Sequence, residues 1–511
     1  MKALKIKVHC LAWLLFILLH TKLASPTLLK YIPKLGVLRG INIFQNPSEN
    51  LTSSEPKSDL KTLYYDQTLD HFNYNPESYL TFPQRYVLNF KHWGGGGGAA
   101  AAPILAYLGE ESSLDDDLRG IEWLSDNAHR FKALQVYIEH RFYGKSVPFV
   151  SSEDALKNAT LRGYFNSAQA LADYAEILLH IKEKLSAKTS PIIVVGGSYG
   201  GMLAAWFRLK YPHIALGAVA SSAPILYFDK ITPSDAYYSR VTKDFREASE
   251  SCYATIKRSW AAIDKTGAKR NGLAFLSKKF KTCKPLKSVS ELKDYLENMY
   301  TVAAQYDRPP NYPVNQVCNG IDGASQGTDT VARIFSGIVA SRGKKSCYNI
   351  GEFFSDETLN GWGWQTCSEI VMPIGIGKNK TMFPADPFNL KEYMDSCENS
   401  YGVVPRPHWI TTYYGGLDIR VVLKSFGSNI IFSNGLRDPY STAGVLEDIS
   451  DSILAVPTKN GSHCLDILPA KKDDPDWLTM QRQVEVNIVH AWILKYYADL
   501  LQISKHNEIK F

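Results

Sequence analysis

The chain has 511 residues, room for two to four domains at roughly 100 to 200 residues each. Its 45% hydrophobic and 21% charged residues, with 29 Tyr, 22 Phe and 10 Trp, exclude a disordered or collagen-like polymer. The formal charge of +6 includes Lys2, Lys5, Lys7 and Lys22, which sit in an acid-free leader, so the rest of the chain is close to neutral. Net charge therefore gives no support to a nucleic-acid-binding or polybasic membrane-surface protein.

Residues 1–24 read as a secretory signal: lysines precede the apolar run Leu11–Leu19, and cleavage is expected near Ala24. That run is too short for a bilayer core of roughly 30 Å, and no other stretch approaches the length of a spanning helix, so no membrane insertion is expected. Residues 25–63 mix Pro, Ser, Asn and Lys without a period, which suggests a propeptide or extended arm.

From Tyr64 the pattern changes. The apolar runs Pro103–Leu108, Leu134–Ile138, Pro191–Val195 and Gly217–Ser221 have the look of buried parallel strands. The Gly94–Gly98 and Ala99–Ala102 tract before the first of them reads as a surface loop. A helix is predicted over Asn166–Leu185, with Asn166 at its start able to cap orphan N–H groups. Alternating strands and helices predict an α/β fold with a doubly wound sheet over residues 64–228 and 425–511. Residues 229–424 lack that alternation and read as an inserted, mostly helical cap. Strands then resume at Ser428–Phe432 and Ile453–Pro457, before a terminal amphipathic helix from about Asp476 to Leu501.

Cys252, Cys283, Cys318, Cys347, Cys367 and Cys397 all fall in the insertion, without the paired spacing of a zinc site, so three disulfides in a secreted chain are the simpler account. No metal or cofactor is called for. Sequons at Asn50, Asn158, Asn379 and Asn460 are compatible with secretion.

The chemistry begins at Gly196-Gly197-Ser198-Tyr199-Gly200, a G-x-S-x-G between a predicted strand and a predicted helix. Such a turn projects the serine hydroxyl from the sheet's edge, and the Tyr199 N–H at the helix start could bind an oxyanion. A serine nucleophile needs a base and an orienting acid, in the order Ser, Asp or Glu, His on this kind of sheet. Asp438 follows the strand at Ser428–Phe432, and His463 follows the next one. His140, at the end of a strand, is the rival base although it precedes the serine; His180 and His490 read as ordinary helix residues.

The stretches Tyr107–Glu111, Glu139–Phe149, Ser167–Ala175, Gly196–Gly201, Ser221–Pro224, Gly363–Cys367, Asn434–Tyr440 and Asn460–Asp466 together resemble the prolyl carboxypeptidase and dipeptidyl peptidase II family of serine exopeptidases. The resemblance implies an α/β-hydrolase domain with a helical cap, acting on short peptides on the carboxyl side of a proline near a chain terminus. It implies Ser198 as nucleophile, Asp438 as acid and His463 as base, with N–H groups of Tyr199 and Gly109 at the oxyanion. Met202, Trp364 and Tyr440 would line the proline pocket, and the cysteines would pair 252 with 318, 283 with 347 and 367 with 397. It places the protein in the secretory pathway, in a vacuole or lysosome or outside the cell, and leaves homodimerisation open.

The chain departs from the family in three places. Tyr440 stands where Trp is usual, and Cys464 and Leu468 replace a second His and an Arg typical of the carboxypeptidases. The loss of that Arg leaves Arg141 and Arg437 as the cations to consider for a substrate carboxylate, and keeps dipeptidyl trimming from the amino terminus open. An esterase or lipase on the same fold, or a silent binding protein, are the alternatives in other classes. Cys464, left unpaired beside His463, is expected to make the enzyme sensitive to bulky thiol reagents.

Overall fold

The computed structural model describes residues 59–508 apart from 98–100, 354–356, 380 and 416–417, together with Ile32, Pro33 and Gly36. The signal-like segment and Asn50 lie outside these residues.

Eight strands form one sheet: β1 (Leu60–Thr68), β2 (Thr81–Asn89), β3 (Ile104–Leu108), β4 (Leu134–Ile138), β5 (Ile192–Gly197), β6 (Gly217–Ser221), β7 (Ile430–Gly435) and β8 (Ile453–Thr458). Their order is β1-β2-β4-β3-β5-β6-β7-β8. Only the β1–β2 and β2–β4 pairings are antiparallel; every pairing from β4 to β8 is parallel. The sheet therefore begins at Leu60, inside the segment expected to be an arm.

Each of β3, β4, β5 and β6 is buried along its whole length, because helices cover both faces. Ile104, Ala106, Leu108 and Val194 face a core built with Ala170, Leu171 and Tyr174 of helix α1 (Ser167–Lys184). The alternate residues Leu105, Tyr107, Ile193 and Val195 pack with Leu478, Val486 and Val489 of the C-terminal helix, Asp476–Glu508. Burying each such side chain contributes on the order of 1.5–3 kcal/mol. Asn166 caps α1 as expected, its side chain accepting from Gln169 N–H at 3.0 Å.

Helix α2 (Ser198–Lys210) follows β5 directly. Between β6 and β7 the chain leaves the sheet and forms the helical cap. Its helices include α3 (Ala236–Ala248), α4 (Glu250–Gly267), α5 (Val289–Gln305), α6 (Pro313–Asp322) and α7 (Glu357–Ser368). Disulfides join Cys252 to Cys318, Cys283 to Cys347 and Cys367 to Cys397, the pairing that the resemblance implies. This is an α/β-hydrolase fold carrying a disulfide-bonded cap. No helix among the described residues is long and apolar enough to cross a membrane.

Candidate active site

Ser198 occupies the turn from β5 into α2 with φ of 58°, a left-handed conformation that is strained for a residue with a Cβ. The turn closes only because its neighbours are glycines. A Cβ on Gly196 would lie 2.0 Å from the Gly200 carbonyl oxygen, and one on Gly201 would lie 2.6 Å from that of Ser221.

Two loops meet above this turn. The loop after β7 carries Asp438 and the loop after β8 carries His463. They can touch because Gly435 has no side chain; a Cβ there would sit 2.3 Å from the Gly461 carbonyl carbon. The Arg437 N–H donates to the Gly461 carbonyl at 2.9 Å and ties the loops together. As a result His463 Nε2 lies 2.8 Å from Ser198 Oγ, and its Nδ1 lies 2.6 Å from Asp438 Oδ2. The other Asp438 oxygen accepts the Tyr440 N–H at 2.9 Å. All three side chains are buried.

This tautomer has Nδ1–H donating to the carboxylate, which leaves Nε2 to accept the serine proton. Burial is the largest influence on the imidazole and disfavours its charged form. The Asp438 charge and hydrogen bond, with a contribution from Cys464, outweigh burial and raise the pKa well above its ordinary value. The pocket thus favours the protonated imidazole.

His140 takes a different part. Its Nδ1 lies 2.6 Å from the Arg141 carbonyl and its Nε2 lies 3.1 Å from the Tyr199 hydroxyl, and burial lowers its pKa to about 4. It is a neutral anchor for Tyr199, with Gln365 Nε2 donating to the same hydroxyl at 2.9 Å. The Tyr199 backbone N–H lies in the first turn of α2, where such groups have no intrahelical acceptor. His180 packs on Tyr65 and His490 on Phe131, as ordinary helix residues do.

The other residues expected at the site have surroundings of their own. The Gly109 N–H donates to the Ile138 carbonyl at 2.9 Å, extending the β3–β4 ladder, so it is already engaged and does not serve an oxyanion in this geometry. Trp364 sits in a separate cluster with Phe142, Tyr143 and Phe165, its indole N–H donating to the Phe165 carbonyl at 3.2 Å. It is Trp362 that packs on Tyr199, with ring centroids 5.8 Å apart. Arg141 is fully buried and held by both oxygens of Asp173, at 2.6 and 2.5 Å, which removes it as a substrate cation. Arg437 keeps 23% of its side chain exposed beside Asp438 while pairing with Asp307 at 2.5 Å. Cys464 is an unpaired thiol, as expected, but it is fully buried with Sγ 3.8 Å from the Ser221 carbonyl, so a bulky reagent has no path to it in the folded state.

Met202 is buried in α2 one turn beyond Ser198, and Tyr440 is buried with its ring 6.1 Å from that of His463. Sequence reasoning missed the cap's contribution. The Tyr306 ring stands edge-on to His463 at 5.7 Å, and the Gln305 carbonyl accepts the His463 N–H at 3.0 Å. No spacing in the sequence marks either residue. Among the described residues no cluster of three or more His, Cys, Asp or Glu side chains could hold a metal ion.

A strained serine on a strand-to-helix turn, with an imidazole and a carboxylate in line behind it, defines a serine hydrolase of the α/β-hydrolase class. A profile of the serine carboxypeptidase S28 family matches residues 67–485. The chain is 36% identical over 501 residues to the lysosomal Pro-X carboxypeptidase of Homo sapiens, covering 94% of this chain and 98% of that one. It is 32% identical over 488 residues to prolyl carboxy peptidase like protein 5 of Caenorhabditis elegans, covering 88% and 93%, and 29% identical over 486 residues to the human thymus-specific serine protease, covering 88% of each. The chain belongs to the serine carboxypeptidase S28 family and is a serine-type exopeptidase.

Proposed function

We propose that this enzyme removes residues from the carboxyl end of short peptides by cutting after proline, with Ser198, His463 and Asp438 as its catalytic triad. The observation that carries the reading is the continuous hydrogen-bonded line from Ser198 Oγ through His463 to Asp438. Ser198 Oγ attacks the carbonyl carbon of the proline residue while His463 Nε2 takes the hydroxyl proton. The Tyr199 N–H stabilises the oxyanion. The C–N bond then breaks as the imidazolium gives its proton to the leaving amine. Water, deprotonated by the same imidazole, hydrolyses the acyl-enzyme and restores Ser198.

Met202 and Tyr440 border the proline pocket in this reading, and Arg437, next to Asp438 in sequence and partly exposed while paired with Asp307, is the candidate cation for a terminal carboxylate. The Pro-X carboxypeptidase name of the relatives supports the proline preference. Their lysosomal designation supports a route through the secretory pathway to an acidic compartment, with residues 1–24 as signal. Asn158, Asn379 and Asn460 are exposed and are proposed glycan sites, with Asn50 as a further candidate.

Dipeptidyl trimming from the amino terminus is the second reading, favoured by the replacements at Cys464 and Leu468. Leu468 is buried in the core that holds Leu478 and Val486 of the C-terminal helix. Matched peptides with the sequence end Pro-Phe separate the two. The carboxypeptidase reading predicts that amidating the carboxyl terminus lowers kcat/KM by at least about tenfold, while acetylating the amino terminus changes little. The reverse pattern establishes dipeptidyl trimming. Cleavage of an acyl ester with no turnover of either peptide would favour an esterase.

A further inference from the structure

Arg437, the residue before Asp438, is tied to buried carboxyls that the cap supplies. Its Nη2 donates to Asp307 Oδ2 at 2.5 Å, and the other oxygen of Asp307 accepts the Val314 N–H of α6 at 3.0 Å. Asp307 is fully buried, whereas Arg437 keeps 23% of its side chain exposed. Asp244 of α3 is also fully buried, and among the described residues neither of its oxygens has a hydrogen-bond partner. The cluster lies beside the candidate triad. Asp307 follows Tyr306, whose ring meets that of His463, and the Arg437 N–H holds the loop of His463 at the Gly461 carbonyl.

Burial raises the pKa of both acids against the pull of Arg437, that of Asp307 to about 6 and that of Asp244 to about 8. Arg240 also lowers the Asp244 value, while Asp307 and Glu247 raise it, and Tyr312, just before α6, faces both Asp307 and Arg437. At neutral pH Asp244 is therefore an uncharged acid, and Asp307 alone balances the guanidinium. The ion pair holds above about pH 6 and is lost as the pH falls through that value, because Asp307 then takes a proton. The guanidinium keeps its charge throughout. It is left in acid as a largely buried cation whose partner is neutral, a state that is costly until an anion reaches it. The terminal carboxyl of a peptide, with an ordinary pKa of about 3.3–3.7, is still ionised there.

We propose that Asp307 is a specificity-determining residue: it covers Arg437 when ionised and yields it on taking a proton, so that acid switches on the grip of Arg437 on the terminal carboxylate of a peptide substrate. The inference rests on the carboxypeptidase reading of the site and adds the group that sets its pH range. Binding is an exchange of one carboxylate for another on the same guanidinium. Asp307 gains a proton from solvent, Arg437 Nη2 leaves Asp307 Oδ2, and the released N–H donates to the carboxylate of the peptide.

The test uses two peptides that end in Pro-Phe and differ only in a free or amidated carboxyl terminus. The full-length enzyme hydrolyses each from pH 4.5 to pH 7.5, and the ratio of the two kcat/KM values is the readout. The same triad cuts both, so the ratio cancels the titration of His463. In the parent the preference for the free terminus is expected to grow at least about tenfold as the pH falls through 6, mostly in KM. Asp307→Asn removes the competing charge and should show the high preference at both ends of the range. Asp307→Asn combined with Arg437→Gln removes both charges of the pair and should show no preference at any pH. Thermal unfolding of each variant reports its folding, and fluorophosphonate labelling of Ser198 reports the triad. If Asp307→Asn fails to fold, the profile of the parent and the double variant decide. A preference that does not change with pH, or that still changes with pH in Asp307→Asn, overturns the switch and leaves the carboxypeptidase reading standing. A preference that survives in the double variant places the carboxylate on another group and overturns the role of Arg437. A ratio near one at every pH, in the parent and in Asp307→Asn alike, rejects the carboxypeptidase reading and the inference with it.

Discussion

The carbonyl of Gln305, last residue of the cap helix α5, accepts the backbone N–H of His463 at 3.0 Å. The insertion thus helps hold the loop that presents the imidazole, and activity is expected to depend on cap folding as well as on the sheet. Helix α5 lies within the 66-residue interval closed by the disulfide between Cys252 and Cys318. Removing both cysteines (Cys252→Ala with Cys318→Ala) is expected to cost about 2–5 kcal/mol by releasing the unfolded chain. Activity should then be lost at a lower temperature than in the parent, in step with cap unfolding. Thermal inactivation that matches the parent would show that His463 is held without the cap.

Gly196→Ala tests the geometry of the nucleophile turn. The added methyl would meet the Gly200 carbonyl oxygen at 2.0 Å, and backbone cannot yield as a flexible side chain does. The expected outcome is a loss of at least about 2 kcal/mol in stability and a fall in kcat/KM of about a hundredfold or more, because the turn that aims Ser198 at His463 must open. Denaturant unfolding and peptide turnover read the two effects.

Much of this architecture was legible in the sequence because the chemistry is local. Residues buried on both faces write continuous apolar runs such as Ile192–Val195, and the G-x-S-x-G motif carries its own turn. The β1–β2 hairpin was not legible. Gln67, Gln84 and Arg85 are buried there but look like loop residues, since Gln67 Nε2 satisfies Gln84 Oε1 at 2.8 Å and Arg85 pairs with Asp115 at 2.6 Å. Likewise Trp362 and Trp364 lie on opposite sides of their helix, and only tertiary packing tells which side meets Tyr199. The contribution of Gln305 and Tyr306 comes from a contact across 158 positions or so of sequence, which no local pattern encodes.

Glu369 gives the fold a pH dependence. It is fully buried, accepting from the Ser167 N–H at 2.7 Å and the Ser167 hydroxyl at 3.0 Å, and burial raises its pKa to about 7 despite those bonds. A carboxyl that binds its proton more tightly when folded stabilises the fold fully below its unfolded pKa, near 4.5, and loses that contribution as the pH rises through about 7. The stability of the parent relative to Glu369→Gln should therefore rise by on the order of 2 kcal/mol between pH 7.5 and pH 4.5. Denaturant titrations of both proteins at the two pH values measure it; a constant difference would place the Glu369 proton elsewhere.

Cys464 should be silent in the native enzyme. Its thiol is buried in the core beneath β6, so a bulky maleimide is expected to leave activity unchanged and to modify Cys464 only after denaturation. Mass spectrometry of the peptide containing Cys464, before and after unfolding, checks this. Rapid modification with loss of turnover would mean that the loop carrying His463 opens far more readily than its hydrogen bonds suggest.

The central claim is that Ser198 is the nucleophile of the site formed with His463 and Asp438. The most direct measurement is covalent labelling of the enzyme by a fluorophosphonate, with the modified residue located by peptide mass spectrometry, beside the turnover of Ser198→Ala. The account predicts one adduct, on Ser198, and a loss of turnover in the variant on the order of a millionfold with unfolding behaviour unchanged. An adduct on another residue, or a folded Ser198→Ala protein that keeps a substantial fraction of its activity, would contradict it.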